Sequence, residues 1–155
     1  MKKKFQELNF DFYIRGIGHS MRYANDKGLA GYNITNQQAR LLGEIYDRLE
    51  SSGEISRRIL SKAMRLSGPS VTSLLNGLEK NGFIIRHTGN EDGRTMQIEI
   101  TAKAMKLIDE TNDIFTGTEE KLLCDFTEEE KEIFLELLKK AYKNITYFFK
   151  YVFSY

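Results

Sequence analysis

Residues 67–100 read SGPSVTSLLNGLEKNGFIIRHTGNEDGRTMQIEI, and the hydrophobic period changes from helical to strand-like within this stretch. From Val71 to Leu78 the apolar side chains recur every three or four residues, which is the spacing of one helical face. From Met96 to Ile100 they alternate with polar residues, and FIIRH lies on the other side of the Gly-rich segment TGNEDGRT. This pattern predicts a helix followed at once by a β-hairpin.

Capping residues mark the limits of this helix and of a shorter helix before it. Ser67 is a predicted N-cap, Pro69 lies in the first turn where its missing N–H is not needed, and Gly82 suits the position after the last turn. The preceding segment SRRILSKAMRL begins at Ser56, a second predicted N-cap. Its predicted buried residues are Ile59, Leu60, Ala63 and Leu66. Two short helices, a tight turn and a two-stranded ribbon together predict a winged helix-turn-helix.

Further helices are predicted on both sides of this lobe. TNQQARLLGEIYDRL opens with a capping box formed by Thr35 and Gln38. Its apolar stripe comprises Leu41, Leu42, Ile45, Tyr46 and Leu49. Residues 5–28 are broadly helical, Thr101 caps a helix after the hairpin, and Thr127 opens the last helix with another capping box. The order predicts one mainly α domain with a small β-hairpin wing, an α+β arrangement.

The last predicted helix carries a wide apolar stripe along EEEKEIFLELLKKAYKNITYFFKYVF. The stripe comprises Ile133, Phe134, Leu137, Leu138, Ala141, Ile145, Phe148, Phe149 and Val152. This helix has little surface of its own chain to cover the stripe, so we expect a partner chain to cover it. The end of the helix, YFFKYVFSY, could also be interpreted as a membrane anchor. It is too short to span a bilayer and continues the helical spacing, which favours dimer packing.

Composition and charge restrict the class of protein. The chain has 155 residues, 41% hydrophobic content and one proline, which fits a folded, helix-rich domain. It has no long apolar run and no signal-peptide pattern, and its single Cys124 fits a reducing compartment, so we expect a cytoplasmic protein. Residues 56–106 hold 9 basic and 4 acidic side chains, a net charge of +5, whereas residues 107–155 have a net charge of −5. The basic segment indicates a polyanionic partner, although helix surfaces can also simply differ in charge.

The polar face of the second short helix is suited to nucleic acid. It presents Ser70, Thr72, Ser73, Asn76 and Lys80 opposite the apolar stripe. Small hydroxyls and an amide can approach phosphates and base edges without clashing. The alternative is that the serines and the threonine lie there only because they are close to a helix N-cap.

The hairpin turn contains the tripeptide Asp92-Gly93-Arg94. Asp-Gly is explained by turn chemistry, because the aspartate accepts hydrogen bonds from turn amides and glycine accepts a positive φ. Arg94 is not explained in this way, and an arginine at the tip of a ribbon can enter a narrow minor groove. We expect the Asp92 carboxylate to hold a guanidinium, either that of Arg94 or that of Arg86, in one orientation.

These residues carry a resemblance to a known family. The stretch from Ser67 to Ala104 resembles the MarR family of bacterial transcriptional regulators in the passage VT..L..LEK.GFI.R, in the D-x-R of the wing and in the Thr that opens the next helix. Upstream, NITNQQARLLGEIY is similar to the second helix of the family. The strings ITN.Q...LG.IY and SGPSVT.LL..LE are most similar to its multidrug-efflux repressors, the MepR-like members.

The resemblance implies an arrangement for the whole chain. Residues 1–155 would form one MarR-type domain, with the winged helix-turn-helix lobe at 33–106 and dimerisation helices at 1–32 and 107–155. The implied assembly is a homodimer on a pseudo-palindromic operator in double-stranded DNA. The implied dimerisation residues are Phe5, Leu8, Phe12, Phe134, Leu138, Ile145, Phe148 and Phe149.

The resemblance also implies roles for single residues. Arg94 would be the minor-groove arginine and Asp92 the acid that orients it. The full set of predicted DNA contacts is Pro69, Ser70, Thr72, Ser73, Asn76, Lys80, Arg86, Asp92 and Arg94. Many members place an arginine on the outer face of the recognition helix, where this chain has Ser73 and Asn76. We therefore expect recognition of DNA shape through the wing to matter more than direct reading of guanine.

In the family, small aromatic or amphipathic effectors bind where the dimerisation helices meet the winged lobe. The predicted effector residues are His19, Met21, Arg22, Tyr23 and Tyr46, since methionine and aromatic side chains suit varied apolar ligands. The alternative is that these residues belong to the core. The expected function is that of a repressor released by an effector, and the alternative is a winged-helix dimer that binds proteins without specific DNA binding.

Other chemistry is not expected from this sequence. The only histidines are His19 and His87, and they lie in no cluster with the spacing of metal ligands, so we expect neither a metal nor another cofactor. A redox role for Cys124 is less favoured than that of a packed or idle thiol. The sequence contains no phosphate loop, nucleophile elbow or paired-carboxylate site, so we expect no enzymatic activity.

Overall fold

The computed structural model describes residues 9–87 and 96–152, with side chains as far as residue 148. The elements are α1 (Asn9–Leu29), α2 (Asn36–Glu50), α3 (Arg57–Met64), α4 (Gly68–Lys80), β1 (Ile84–His87), β2 (Gln97–Ile100), α5 (Ala102–Leu122) and α6 (Glu128–Val152). This order confirms the predicted fold class. The chain divides into two compact units, Met1–Thr118 and Glu119–Tyr155, and each is described by itself.

Side-chain caps begin the helices of the first unit where the sequence predicts them. The Thr35 hydroxyl accepts a hydrogen bond from the Gln38 backbone N–H at 3.2 Å, and the Gln38 side chain accepts one from the Thr35 N–H at 3.0 Å. Ser56 and Ser67 cap α3 and α4 through single hydrogen bonds to backbone N–H groups. A cap of this kind contributes about 1 kcal/mol to helix stability.

A left-handed residue separates α3 from α4. Arg65 has a φ of 54°, and the next N–H, that of Leu66, donates to the Ser61 carbonyl at 3.0 Å. The prediction that Ala63 is buried was wrong, because Ala63 is exposed whereas Met64 is half-buried. Met64 lies about 40° from the buried Leu60 around the helix and Ala63 about 60° from it on the opposite flank, so the buried face is centred on the Met64 side.

The hairpin is antiparallel, with Ile84 opposite Ile100 and Arg86 opposite Ile98. Side chains of directly paired residues lie on the same side of a sheet, so Arg86 shares the inner face with the buried Ile84 and Ile98. The end of the hairpin at His87 and Gln97 is held from outside the sheet as well. The Met96 N–H, just before β2, donates to the Ile55 carbonyl at 2.9 Å.

One continuous core holds the helix-turn-helix, the hairpin and the first part of α5 together. Its fully buried large side chains are Phe83, Leu41, Leu42, Ile45, Leu60, Leu75, Leu78, Ile84 and Val71. Thr101 joins the hairpin to α5, because its hydroxyl donates to the Gly82 carbonyl at 2.8 Å and accepts from the Ala104 N–H at 3.3 Å. Gly82 has a φ of 72°, which confirms its predicted place after the last turn of α4.

The second unit contains the end of α5 and the long helix α6. The predicted capping box is confirmed, since the Thr127 hydroxyl and the Glu130 carboxylate each accept a backbone N–H of the other residue. The rings of Phe126 and Phe134 pack edge to face, 5.5 Å between centroids. Most of the apolar stripe is exposed in the single chain, for example Leu137 at 58%. Among the described residues, none of the helices has both the length and the apolar character needed to cross a membrane.

Candidate nucleic-acid interface

The polar face of α4 lies where the sequence places it, but its hydroxyls differ in availability. The Ser70 hydroxyl is 2.8 Å from that of the N-cap Ser67, and the Thr72 hydroxyl donates to the Gly68 carbonyl at 3.0 Å. These two hydroxyls therefore have partners within the helix, as the N-cap alternative anticipates. Ser73 is exposed on the same face.

The remaining predicted residues of α4 lie at its two ends. Pro69 occupies the first turn, and Lys80 is the last helical residue. Both are exposed, as is Asn76 in the middle of the polar face. The predicted wing residues Asp92 and Arg94 lie outside the described residues.

A cation that the sequence prediction missed lies beside the start of α4. Arg57, the first residue of α3, lines a cleft of about 470 Å³ together with residues from the first three turns of α4. The α4 residues in this cleft are Gly68, Pro69, Thr72, Ser73 and Asn76. The N-terminal end of a helix carries partial positive charge, so the adjacent guanidinium makes this cleft attractive to an anion. The only available signal was the count of basic residues, because α3 was interpreted as a supporting helix.

Arg86 is bonded to α4. Its Nε donates to Glu79 Oε2 at 3.0 Å, its Nη2 also contacts Oε2, and its backbone N–H donates to Glu79 Oε1 at 3.2 Å. The same Nη2 donates to Asn76 Oδ1 at 2.7 Å. These hydrogen bonds hold the pKa of Glu79 below its ordinary value, because Arg86 stabilises the ionised carboxylate. We call Asn76, Glu79 and Arg86 the α4–wing clamp.

The α4–wing clamp follows from the positions of its members. Asn76 and Glu79 are three residues apart on α4 and therefore lie on one side of the helix. Arg86 reaches them because its place opposite Ile98 turns its side chain toward the inner face of the hairpin. Glu79 was not among the predicted site residues, since its pairing depends on how the strand folds back along the helix. On β1 and β2, His87 Nε2 lies 3.3 Å from Glu99 Oε2 across the hairpin.

The structure brings together two of the five predicted effector residues. Met21 and Arg22 line a cleft of about 830 Å³ formed by α1, the start of α2 and the α3–α4 region. Tyr46 lies in a different cleft of about 610 Å³ between α2, α3 and α5. His19 and Tyr23 are exposed and are not among the residues that line these two clefts.

Asn25 also lines the larger of these two clefts, which we call the α1–α2–α4 cleft. This residue was not predicted from the sequence. It is 1% exposed, and no hydrogen-bond donor for its Oδ1 lies within the described part of the chain. A buried amide oxygen without a partner costs stability. Cys124 is exposed.

Comparisons with known proteins agree with this geometry. A sequence model of the MarR family matches residues 32–95. A solved structure from Clostridium acetobutylicum, assigned to the MarR family of transcriptional regulators, is 31% identical and aligns over 89% of this chain and 99% of that one, with a TM-score of 0.60. This chain belongs to the MarR family. The resemblance stated from the sequence is thereby confirmed.

Two further relatives are similar over different lengths. The structure of Staphylococcus aureus MepR in complex with DNA is 29% identical, covers 88% of this chain and 96% of that one, and has a TM-score of 0.78. The uncharacterised helix-turn-helix-type transcriptional regulator YwoH of Bacillus subtilis is 33% identical over 91 residues, which are 59% of this chain and 66% of that protein. The MepR comparison supports the winged-helix architecture over most of the chain.

Proposed function

We propose that this protein is a homodimeric, sequence-specific DNA-binding regulator of transcription that represses its target until a small molecule binds. The observation that carries the proposal is the grouping of Arg57, the polar face of α4 and the base of the hairpin in one MarR-type lobe. The relative MepR was solved in a complex with DNA. The net charge of +5 over residues 56–106 supports a polyanionic partner for this lobe.

In this proposal α4 is the recognition helix. Ser73 and Asn76 approach base edges in the major groove, while Pro69 at the N-terminal end and Lys80 at the C-terminal end lie near the flanking phosphates. Arg57 adds a phosphate contact beside the N-terminus of α4. The Thr72 hydroxyl donates to DNA only by exchanging its hydrogen bond to the Gly68 carbonyl, and the Ser70 hydroxyl shares a hydrogen bond with Ser67.

The wing contributes a second contact in the proposed complex. Arg94 enters the minor groove and the Asp92 carboxylate orients it, a role proposed from the sequence and from family resemblance. The described part of the hairpin supports this proposal by its firm attachment to the core, because Ile84 is 1% and Ile98 is 7% exposed. Anchored strands lose little conformational freedom when the lobe binds DNA.

The proposed dimer is built from the terminal helices. Phe12 on α1 is 65% exposed, and Leu138, Ile145 and Phe148 on α6 are 44%, 53% and 53% exposed in the single chain. Apolar side chains in such number are typical of a surface that a partner covers. The side chains of Phe5, Leu8 and Phe149 are assigned to the dimer from the sequence alone. A dimer would place two recognition helices about 34 Å apart, one turn of DNA.

The α1–α2–α4 cleft is the proposed effector site. Met21 supplies apolar surface, Arg22 supplies a cation, and Asn25, whose buried Oδ1 has no partner among the described residues, lies in the wall of the cleft. Ser73 and Leu74 of α4 also line this cleft, so an occupant would contact the recognition helix beside its polar face. A coupling of roughly 1–3 kcal/mol between effector and DNA is typical of such switches. MepR regulates a multidrug efflux pump, which supports a small amphipathic effector for this chain.

The test is an anisotropy titration with labelled DNA from upstream of the protein's own coding sequence and with a shuffled duplex of equal composition. Under the proposal the upstream duplex binds at least about 1,000-fold more tightly, and affinity falls steeply between roughly 50 and 200 mM salt. Equal affinity for the two duplexes would instead favour the protein-interaction module. Sedimentation of the free protein tests the dimer separately.

A further inference from the structure

The orientation of the Asn76 amide is fixed by its partner in the α4–wing clamp. A guanidinium has donors only, so the atom of Asn76 that lies 2.7 Å from Arg86 Nη2 has to be the carbonyl oxygen Oδ1. The amide nitrogen Nδ2, with two hydrogens to donate, therefore occupies the other position at the end of the side chain. Within the described residues, this nitrogen donates no hydrogen bond of its own.

Arg86 is held in turn by Glu79. The carboxylate accepts from Nε at 3.0 Å, from Nη2 and from the backbone N–H at 3.2 Å, so both the guanidinium and the strand that carries it are tied to α4. Neighbouring residues fix these two elements, since Leu75 and Leu78 on α4 and Ile84 on β1 are at most 1% exposed. The Asn76 amide is therefore oriented by a chain of contacts that begins in the core.

This orientation matters for reading bases. A freely rotating asparagine can pair with adenine through two hydrogen bonds, one donated to N7 and one accepted from the N6 amino group. An asparagine whose Oδ1 accepts a hydrogen bond from Arg86 can offer only its amino group to a base. The acceptors available to it in the major groove are N7 and O6 of guanine, N7 of adenine and O4 of thymine, whereas the amino group of cytosine offers no acceptor.

We infer that Arg86 and Glu79 are positioning residues that turn Asn76 into a donor-only reader of base acceptors. The inference rests on the proposed function, since it needs α4 to lie in the major groove. Arg86 then contributes to specificity through Asn76, and its own charge is already matched by Glu79. This role differs from the direct DNA contact that was predicted for Arg86.

The experiment selects preferred duplexes from a randomised pool with four proteins. These are the wild type, Asn76→Ala, Arg86→Lys and the double variant Glu79→Gln/Arg86→Met, which keeps the net charge and the approximate side-chain size. Asn76→Ala identifies the base position that Asn76 reads, where the preference should fall about tenfold. Under the inference the wild type disfavours cytosine at this position, and the double variant loses the preference or shifts it to adenine.

Salt dependence separates positioning from a direct phosphate contact. The double variant should keep the wild-type slope of log affinity against log salt, whereas loss of a phosphate contact would lower the slope by about 0.9 per contact. Arg86→Lys keeps the charge but lacks the planar fork, so it should alter the same base position. If thermal unfolding shows that the double variant does not fold, Arg86→Lys replaces it in the test of base preference.

The outcomes divide clearly between the inference and the proposed function. A wild type that selects no sequence contradicts the proposed function itself. A wild type with a clear motif that Asn76→Ala leaves unchanged, or a clamp variant with the wild-type base preference, overturns the inference alone. Selection of cytosine by the wild type at the Asn76 position would also overturn it.

Discussion

Arg57→Ala removes the cation beside the N-terminus of α4, and its effect on DNA binding can be worked out in advance. If each Arg57 contacts one phosphate, a dimer loses two contacts, and the slope of log affinity against log salt becomes shallower by about 1.8. Between roughly 50 and 200 mM salt, the wild-type affinity should therefore fall about 12-fold more than that of the variant. At the lower salt concentration the variant should bind more weakly than the wild type.

The matched control for this experiment is Arg58→Ala. Arg58 is the next residue of α3 and is also exposed, so its substitution removes the same charge. Arg58 does not line the cleft at the start of α4. Anisotropy titrations of the three proteins at several salt concentrations give the slopes. Equal changes in both variants would mean that net charge acts at a distance and that Arg57 has no special place. An unchanged slope for Arg57→Ala would refute the phosphate contact.

Three other predictions concern stability and ligand binding. The pKa of Glu79 is lower in the folded chain, so the ionised carboxylate stabilises the fold above pH 4.5, and this stabilisation is lost as pH falls through the folded pKa. In Glu79→Gln, the free energy of unfolding measured with urea should therefore fall less steeply at acid pH than in the wild type. In Gly28→Ala the new Cβ would lie 2.7 Å from Ile114 Cγ2, and the overpacking should cost about 1–3 kcal/mol, whereas Gly16→Ala meets open space and should stabilise α1 by about 0.5–1 kcal/mol in the same assay. Asn25→Leu removes a buried acceptor without a partner, so it should raise the unfolding midpoint and abolish effector release of DNA; an unchanged response to effector would contradict the proposed cleft.

The features that the sequence predicted correctly depend on local chemistry. The capping boxes at Thr35 and Thr127 involve residues three positions apart, so the residue types alone indicate the geometry. The hairpin could also be predicted, because alternation of apolar and polar residues on both sides of a Gly-rich segment defines its inner face. Gly82 was found because a positive φ favours glycine.

The features that the sequence did not predict depend on how separate elements meet. The Glu79–Arg86 pair joins a helix to a strand, and nothing in the spacing of the two residues shows that the intervening turn brings them together. Arg57 joins the site only because α3 crosses the start of α4. Asn25 would be interpreted as a surface residue from its type alone, yet the packing of α1 buries it.

The hairpin is held at both ends of its strands, by the Ile84–Ile100 pairing and Thr101 at one end and by the bond from Met96 to the Ile55 carbonyl at the other. The residues that make these bonds all lie outside the octapeptide 88–95. During divergence of duplicated genes, a regulator could therefore acquire a different octapeptide, and with it a different operator, while keeping the residues that make these bonds.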